Sequence, residues 1–303
     1  HFETFGQSDI EAEKPMQPDT IVRIYSMTKP VTSVALMMLY EEGKFELDDP
    51  VEKYLPEFKD IKVTTDAGKD DAPLEAPKRS ITIRDLMRHT SGLTYGLFGN
   101  SAVDRKYREL DMLNRDASLE EFIEKLTTVP LLIQPGSRWN YSVSVDVQGR
   151  LVEVLSGQPL DEFFAERIFK PLDMEDTAFF VPEEKLDRFA ANYGTVDDKL
   201  SVIDAPQESA YRYSPKFFSG GGGLVSTARD YMRFCQMLLN GGELDGTRIL
   251  KPETVELMTS NHLPEEIMPI GFGFIKRTGV GFGLGFAVRV EATSGEPEEA
   301  VGE

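Results

Sequence analysis

The chain has 303 residues, of which 40% are hydrophobic and 28% are charged, a balance that is ordinary for a folded globular protein. This length allows roughly two domains of ~150 residues, or one large lobe with an insertion. Because 52 acidic residues outnumber 33 basic ones, the net charge is −19, which repels phosphate backbones and anionic lipids. We therefore expect no nucleic-acid partner.

The first part of the chain is predicted to place a short strand before a buried helix. The segment from Thr20 to Tyr25 is β-branched and alternating, which favours a strand. The segment from Val31 to Tyr40 is apolar on almost every face, which predicts a helix buried all round that ends near Gly43. This apolar run is about half of the ~20 residues that a membrane span needs, so no span is expected.

Capping signals predict a mainly helical middle. Thr82 and Ser118 each open a capping box, and helices are also expected over 144–156 and 159–169. The polar residues 60–80 are expected to form an exposed excursion. Later, Ser226 or Thr227 caps a helix whose inner face is predicted to hold Tyr231, Phe234, Cys235 and Leu238.

The last part of the chain is predicted to contain a short helix after Pro252 and strands over 271–274 and 281–290. The chain begins with His1 rather than methionine and finishes in a polar stretch rich in glycine and glutamate, from residue 291 to 303. We therefore expect it to be truncated at both ends. No leader peptide is visible, which favours the cytoplasm slightly over the periplasm and leaves the compartment undetermined.

Several catalytic chemistries lack their residues. The sequence contains no P-loop, no G-x-G-x-x-G, no H-E-x-x-H and no G-x-S-x-G. Its histidines are His1, His89 and His262, and its one cysteine is Cys235, so a histidine-rich metal site, a four-cysteine zinc site and an internal disulfide are excluded. No metal or cofactor is predicted. His89 lies at a polar helix end and is expected to bond to the last helical carbonyls.

Ser26 and Lys29 form the only S-x-x-K in the chain, between the predicted strand and the buried helix. Residues three apart on a helix share a face, so the hydroxyl and the amine would be neighbours. The positive end of the helix dipole and burial would both favour a neutral amine, which is what a lysine base needs. Local features alone fit a serine N-cap followed by a surface lysine equally well.

Tyr141 follows the turn made by Pro135 and Gly136, on a loop that leads into the helix at Ser144. A phenol can share a proton with Lys29 if the two are held close. On these features alone a half-buried core tyrosine fits better. Trp139 is interpreted as a packing anchor.

Taken in order, several segments resemble the serine β-lactamase and penicillin-binding-protein superfamily. They are most similar to the carboxylesterases built on the class C β-lactamase fold, called family VIII esterases. The resemblance extends from about residue 20 to 288 and rests on RIYSMTKPVTSVALMMLYEEGKFELDDPVEKYLPEF, ITIRDLMRHTSGL, PGSRWNYSVSVDVQGRLVEVLSG, GGGGLVSTARDYMRFCQMLLNGG and GFGLGFAV.

The resemblance implies an α/β (α+β) fold of the β-lactamase/transpeptidase type, with an antiparallel sheet flanked by helices and a helical lobe. We expect residues 1–55 and 210–303 to form a discontinuous mixed lobe, with C-terminal strands missing, and residues 56–209 to form the helical lobe. The glycine run 220–223 is interpreted as structural, allowing backbone to pass close to the site.

The resemblance also implies a mechanism. Ser26 would attack an ester carbonyl, Lys29 and Tyr141 would relay its proton to the leaving alcohol, and water would cleave the acyl-enzyme. The backbone N–H of Ser26 would form half of the oxyanion hole. The expected partner is a small ester or lactam; the oligomeric state is left open.

Two departures from the family pattern leave alternatives open. Val143 stands where lactamases place an asparagine that contacts the lactam side chain, which favours esters. The third motif of the family (K-T-G, W-G-G or H-x-G) is not found, and Arg277-Thr278-Gly279 lies too early to replace it. A β-lactamase, D-aminopeptidase or acyltransferase using the same site, or a non-catalytic scaffold, therefore remains an alternative to the carboxylesterase.

Overall fold

The computed structural model describes residues 2–272 and 275–291, and helices provide most of its regular structure. A 3₁₀ turn, Tyr25–Met27, runs directly into the first helix, and a π-turn, Ala165–Phe169, continues the sixth. The α-helices of the described residues are α1 (Thr28–Glu41), α2 (Ile83–Met87), α3 (Ala102–Glu109), α4 (Leu119–Leu126), α5 (Ser144–Ser156), α6 (Leu160–Phe164), α7 (Ala228–Leu239) and α8 (Pro252–Thr259).

The strands form small antiparallel pairs. Within the described ranges each pair has two strands, and the pairs are β1 (Gln7–Asp9) with β2 (Lys14–Pro15), β3 (Val22–Arg23) with β8 (Val225–Ser226), β4 (Val63–Thr64) with β5 (Leu74–Glu75), β6 (Asn192–Val196) with β7 (Lys199–Asp204), β9 (Glu243–Leu244) with β10 (Thr247–Arg248), β11 (Gly271–Phe272) with β12 (Ile275–Lys276), and β13 (Val280–Phe282) with β14 (Ala287–Arg289). The pairing of β3 with β8 brings the chain before α1 beside the chain after the glycine run.

Helix α1 lies in the centre of the core. As predicted, it is buried on almost every face, and Val31, Val34 and Leu36 are fully inaccessible to solvent. It packs against α5, where the buried Ser33 Oγ donates to Gln148 Oε1 at 3.1 Å. Gln148 Nε2 in turn donates to the backbone oxygen of Leu86 in α2 at 3.1 Å. These bonds satisfy polar groups that would be costly to bury alone.

The capping signals were informative. The predicted capping boxes at Thr82 and Ser118 are both formed, and the helix predicted over 144–156 has those bounds. Helix α3 was not predicted, although Ser101 opens it with a third capping box. Most of its residues are polar, so it lacks the apolar residues that marked the other helices.

Two features of the last part of the chain differ from the sequence prediction. Cys235 is exposed, because the buried face of α7 is formed by Asp230, Phe234 and Met237. The segment predicted as one strand over 281–290 folds back on itself as β13 and β14. Its turn includes Gly285 at φ +99°, a conformation that a side chain would strain.

A second hairpin, β6 and β7, was not predicted at all. Its tight turn consists of Asp197 and Asp198, both with positive φ, in place of the usual glycine.

The predicted strand over 271–274 falls partly on residues 273 and 274, which lie outside the described residues. The division into two lobes stays a prediction. No helix of the described residues is both long enough and apolar enough to cross a membrane.

The buried carboxylate of Asp85 connects α2 to the loop that follows it. It accepts hydrogen bonds from Arg79 (3.0 Å for Nη2), Arg88 Nη2 (3.2 Å), Thr90 Oγ1 (2.7 Å) and the Thr82 N–H (3.1 Å). Burial alone would raise the pKa of Asp85, but the hydrogen bonds from Arg79, Thr90 and Thr82 outweigh it and lower the pKa.

We expect Asp85→Asn to lower the free energy of unfolding by about 2–4 kcal/mol, because removing one partner leaves buried donors and a partly buried cation uncompensated. Urea unfolding measures this. Because the pKa of Asp85 is depressed in the folded state, its contribution to stability is present at neutral pH and is lost as the pH falls. The free energies of unfolding of the wild type and Asp85→Asn should therefore converge in acid.

Asp48→Asn is the control: Asp48 pairs with Arg84 but is 72% exposed, so we expect the free energy of unfolding to fall by less than about 1 kcal/mol. Equal losses in the two variants would contradict this role for Asp85.

Candidate active site

The turn that enters α1 presents Ser26 to solvent and Lys29 to the interior. Ser26 lies in the 3₁₀ turn and is exposed, whereas Lys29, one helical turn on, is only 5% exposed. Lys29 Nζ lies 3.1 Å from Ser26 Oγ. Tyr25, the residue before Ser26, has φ +43°, a strained value for a tyrosine. Strain of this kind persists only where the surrounding structure holds it in place.

Tyr141 contacts the same hydroxyl from a distant part of the chain. Its phenol donates to Ser26 Oγ at 2.8 Å. The loop that carries it is bonded to the segment after α2, through Asn140 N–H to His89 O (2.8 Å) and Val143 N–H to Thr94 O (3.2 Å). The structure therefore brings the three residues singled out by the sequence, Ser26, Lys29 and Tyr141, into one cluster.

The amine of Lys29 is enclosed by groups of several kinds. It donates to the backbone oxygen of Gly221 at 2.5 Å and lies 3.4 Å from Tyr95 Oη. It also lies 4.6 Å from the ring centre of Tyr141. Burial lowers the pKa of Lys29 to about 8, although the charge of nearby Asp146 acts in the opposite direction. Lys29 therefore loses its proton at a lower pH than an exposed lysine does, and part of the amine is neutral near physiological pH.

The neutral form of Lys29 is also the one that these contacts orient. A neutral amine has two N–H donors and one lone pair. The oxygen of Gly221 can only accept, so it takes one N–H, and Tyr95 Oη can take the second. The lone pair is then left for the hydroxyl of Ser26. The geometry can therefore pass the Ser26 proton to Lys29.

The glycine run is fixed by buried polar groups. Asp146 Oδ1 accepts from Gly221 N–H (3.0 Å) and from Ser219 Oγ (2.5 Å), while Thr32 Oγ1 donates to Gly220 O at 2.8 Å. A Cβ on Gly221 would lie 2.5 Å from Asp146 Oδ2 and 2.9 Å from Tyr95 Oη, so a side chain does not fit there. The backbone passes close to Ser26 and Lys29, as the sequence predicted, and Gly221 touches Lys29 itself.

Sequence reasoning missed two residues of this cluster. Tyr95 stacks on Tyr141 with ring centres 5.6 Å apart, and burial raises its pKa, so it is a neutral phenol. Asp146 is fully buried, which raises its pKa, while the Ser219 hydrogen bond and the charge of Lys29 act against that rise. One signal was available for Asp146: it is an acidic residue in the apolar inner face of α5.

His89 has a different environment from the one predicted. It does not cap the helix; it is buried, its Nδ1 lies 3.3 Å from Ser142 Oγ, and its ring centre lies 4.9 Å from that of Tyr141. Burial lowers the pKa of His89 to about 3, so the ring is neutral and packs as an apolar group. No hydrogen bond of the described residues joins His89 to Ser26.

Other residues singled out by the sequence lie around the cluster. Trp139 is buried against Leu263, Ile270, Val280 and Phe282, as a packing anchor would be. Arg277 and Thr278 are exposed near the last two strand pairs and do not line the cavity at Ser26. Among the described residues, no group of His, Cys, Asp or Glu is arranged to hold a metal ion.

Two cavities adjoin the cluster. The smaller, of about 270 Å³, is lined by Ser26, Tyr95, Phe98, Arg115, Tyr211 and residues 221–223 of the glycine run, among others. The larger, of about 630 Å³, is lined by Trp139, Asn140, Phe98 and Met268, among others. Tyr141 lines both cavities, whereas Ser26 lines only the smaller one.

Comparisons with known proteins point to one family for the chain. The family model described as Beta-lactamase matches residues 1–295. Protein Rv1367c of Mycobacterium tuberculosis is 38% identical over 293 residues, covering 96% of this chain and 72% of the relative. Esterase EstB of Burkholderia gladioli is 34% identical over 245 residues, covering 75% of this chain and 59% of the esterase.

A solved structure is similar over nearly the whole chain. It is that of EstCE1, described as a hydrolase with promiscuous acyltransferase activity, and it superposes with a TM-score of 0.74 at 30% identity. The match covers 94% of this chain and 73% of EstCE1. The helices, the small antiparallel strand pairs and these matches identify the chain as a member of the Beta-lactamase family, with a β-lactamase/transpeptidase-like fold.

Proposed function

We propose that the protein is a serine hydrolase that cleaves small carboxylic esters through an acyl-enzyme on Ser26. The observation that carries this proposal is the position of Ser26 Oγ, 3.1 Å from Lys29 Nζ and 2.8 Å from Tyr141 Oη. An exposed hydroxyl beside a buried amine of lowered pKa is the arrangement that activates a serine nucleophile. Ser26, Lys29 and Tyr141 are the proposed catalytic residues.

In the first half of the reaction, Ser26 Oγ forms a bond to the ester carbonyl carbon, and its proton passes to neutral Lys29. The bond between that carbon and the alkoxy oxygen then breaks. The departing oxygen takes a proton from the pair formed by Lys29 and Tyr141, and the alcohol leaves. In the second half, water gives a proton to the same pair, its oxygen bonds to the acyl carbon, and Ser26 is released with its proton restored.

Two features support esters as the substrate class. Val143 is fully buried at the start of α5 and has no polar group to hold a lactam side-chain amide. The matched relatives include an esterase, EstB, and a hydrolase, EstCE1.

Acyl transfer to an alcohol is the second candidate, favoured by the acyltransferase activity described for EstCE1. It uses the same acyl-enzyme, with an alcohol oxygen in place of water. Adding increasing alcohol during ester cleavage, and measuring the new ester against free acid, separates the two activities.

We expect each molecule of the protein to form one covalent adduct with a fluorophosphonate and Ser26→Ala to form none, because only an activated hydroxyl reacts with this reagent. Intact-protein mass spectrometry measures the adduct. Hydrolysis of a short-chain nitrophenyl ester should fall by about 10³-fold or more in the same variant. An adduct on Ser26→Ala, or unchanged hydrolysis, would place the nucleophile elsewhere; no adduct on either protein would favour a non-catalytic scaffold.

The pH dependence of kcat/KM should follow Lys29. Protonated Lys29 cannot accept the Ser26 proton, so kcat/KM should rise roughly tenfold per pH unit below a pKa of about 8 and level off above it. Initial rates on a neutral ester, with circular dichroism to confirm folding at each pH, provide the test. In Lys29→Met the rising limb should disappear together with most of the activity. A profile that is flat from acid to alkali would rule Lys29 out as the base.

Gly221→Ala should lower the free energy of unfolding by about 1–3 kcal/mol, because the added methyl collides with Asp146 and Tyr95. Gly221→Ala should also change the pKa of Lys29, read from the pH profile of kcat/KM, because Gly221 O accepts a hydrogen bond from the amine of Lys29. Gly222→Ala is the matched control: its Cβ would lie 3.7 Å from the nearest atom, so we expect little loss of stability. Chemical denaturation of both variants decides the matter, and equal stabilities would contradict the close approach at Gly221.

A further inference from the structure

One cationic side chain lies in the wall of the smaller cavity. Arg115 lines it together with Ser26, and the other lining residues are aromatic, aliphatic, serine or glycine. No acidic residue lines this cavity among the described residues, although acidic residues greatly outnumber basic ones in the chain as a whole. A cation placed this way makes the cavity locally attractive to anions.

Arg115 is held in place from several directions. Its backbone oxygen accepts from the N–H groups of Lys216 (3.0 Å) and Phe217 (3.1 Å). Its Nη2 donates to the backbone oxygen of Ala210 at 3.3 Å, and its guanidinium lies 4.6 Å from the ring centre of Tyr211. An aromatic face orients a guanidinium without using its N–H donors.

The guanidinium also has no acidic partner in the part of the chain that the structure describes. None of the salt bridges formed within the described residues involves Arg115. A guanidinium has five N–H donors, and the bond to Ala210 occupies one. No other hydrogen bond of the described residues uses the remaining N–H donors of Arg115.

The ring of Tyr211 connects Arg115 to the reacting centre. The phenol of Tyr211 donates to the backbone oxygen of Gly222 at 3.4 Å, and the Cβ position of Gly222 lies 3.7 Å from the carbonyl carbon of Tyr25, the residue before Ser26. Ser26 and Arg115 therefore line the same aromatic-walled cavity. Because the acyl group becomes bonded to Ser26, and Ser26 lines only this cavity, the acyl group belongs here rather than in the larger cavity.

We propose that the acyl part of the substrate carries a second, free carboxylate that Arg115 binds, so that the preferred substrates are half-esters of dicarboxylic acids. This inference rests on the proposed function of Ser26. The methylene chain between the ester and the carboxylate packs against the rings of Tyr95, Tyr211 and Phe217. The carboxylate accepts paired N–H bonds from the guanidinium, which are among the stronger hydrogen bonds in proteins.

The test compares two esters that share an alcohol and an acyl length: p-nitrophenyl hydrogen adipate, which carries the carboxylate, and p-nitrophenyl hexanoate, which does not. Rates without enzyme are subtracted. The measured quantity is the ratio of kcat/KM for the half-ester to that for hexanoate, which does not depend on how much of a variant is folded. For the wild type we expect a ratio above one.

The variants are Arg115→Gln, Arg115→Lys and, as a control, Arg229→Gln. We expect the ratio to fall about 10- to 100-fold in Arg115→Gln, through KM for the half-ester, because one charged hydrogen-bonding site is lost. Arg115→Lys should restore part of it. Arg229 lies outside the cavity and pairs with Asp173, so Arg229→Gln changes the net charge equally and should leave the ratio unchanged.

The outcomes separate this proposal from the proposed function. If hexanoate is cleaved and the ratio is below one, or if Arg115→Gln leaves the ratio unchanged, the carboxylate site is wrong and the hydrolase remains. If Arg229→Gln lowers the ratio as much as Arg115→Gln, the effect comes from the overall charge and the site is again wrong. If neither ester is cleaved and no fluorophosphonate adduct forms, the proposed function fails and this inference fails with it.

Discussion

The burial of one amino group, Nζ of Lys29, is the constraint on which the other features of the site depend. An ammonium taken out of water is costly unless a carboxylate is bonded to it or the proton is lost. Here the carboxylate of Asp146 bonds to the N–H of Gly221, and the oxygen of Gly221 bonds to the amine. Asp146 is thus near enough for its charge to offset part of the fall in the Lys29 pKa that burial causes, while its hydrogen bond goes to Gly221 rather than to the amine.

Three distant segments must converge for this to happen. The loop after α2, the loop before α5 and the glycine run all reach the beginning of α1. There Thr28 Oγ1 accepts from the N–H of Leu224, just after the glycine run, Thr32 donates to Gly220 O, and Ser33 bonds to α5. Each contact uses a buried polar group on a helix that is otherwise apolar. The cluster at Ser26 and the hydrophobic core are therefore built on the same helix, so a change in the packing of one affects the other.

The sequence predicted much of this through local rules. Capping boxes and apolar periodicity located most of the helices. The spacing of Ser26 and Lys29 suggested a pair, and the resemblance decided between that pair and a serine N-cap followed by a surface lysine. Tyr141 was tied to that pair by resemblance, because nothing local says that a loop tyrosine reaches a helix 115 residues away. Tyr95, Asp146 and Arg115 were missed for the same reason: their environments depend on long-range packing. Cys235 was predicted on the buried face of α7 but is exposed. Consecutive residues of a helix point in different directions, so the buried Phe234 is followed directly by an exposed residue.

Tyr141 lines both cavities, and this has a consequence for the proposed reaction. The acyl chain proposed for the smaller cavity would stay bonded to Ser26 while the alcohol departs. If the alcohol leaves and its replacement arrives through the larger cavity, the acyl group need not move for the exchange. The choice between water and a second alcohol would then depend on what the larger cavity admits, so that the acyl donor and the acceptor would be selected by different cavities.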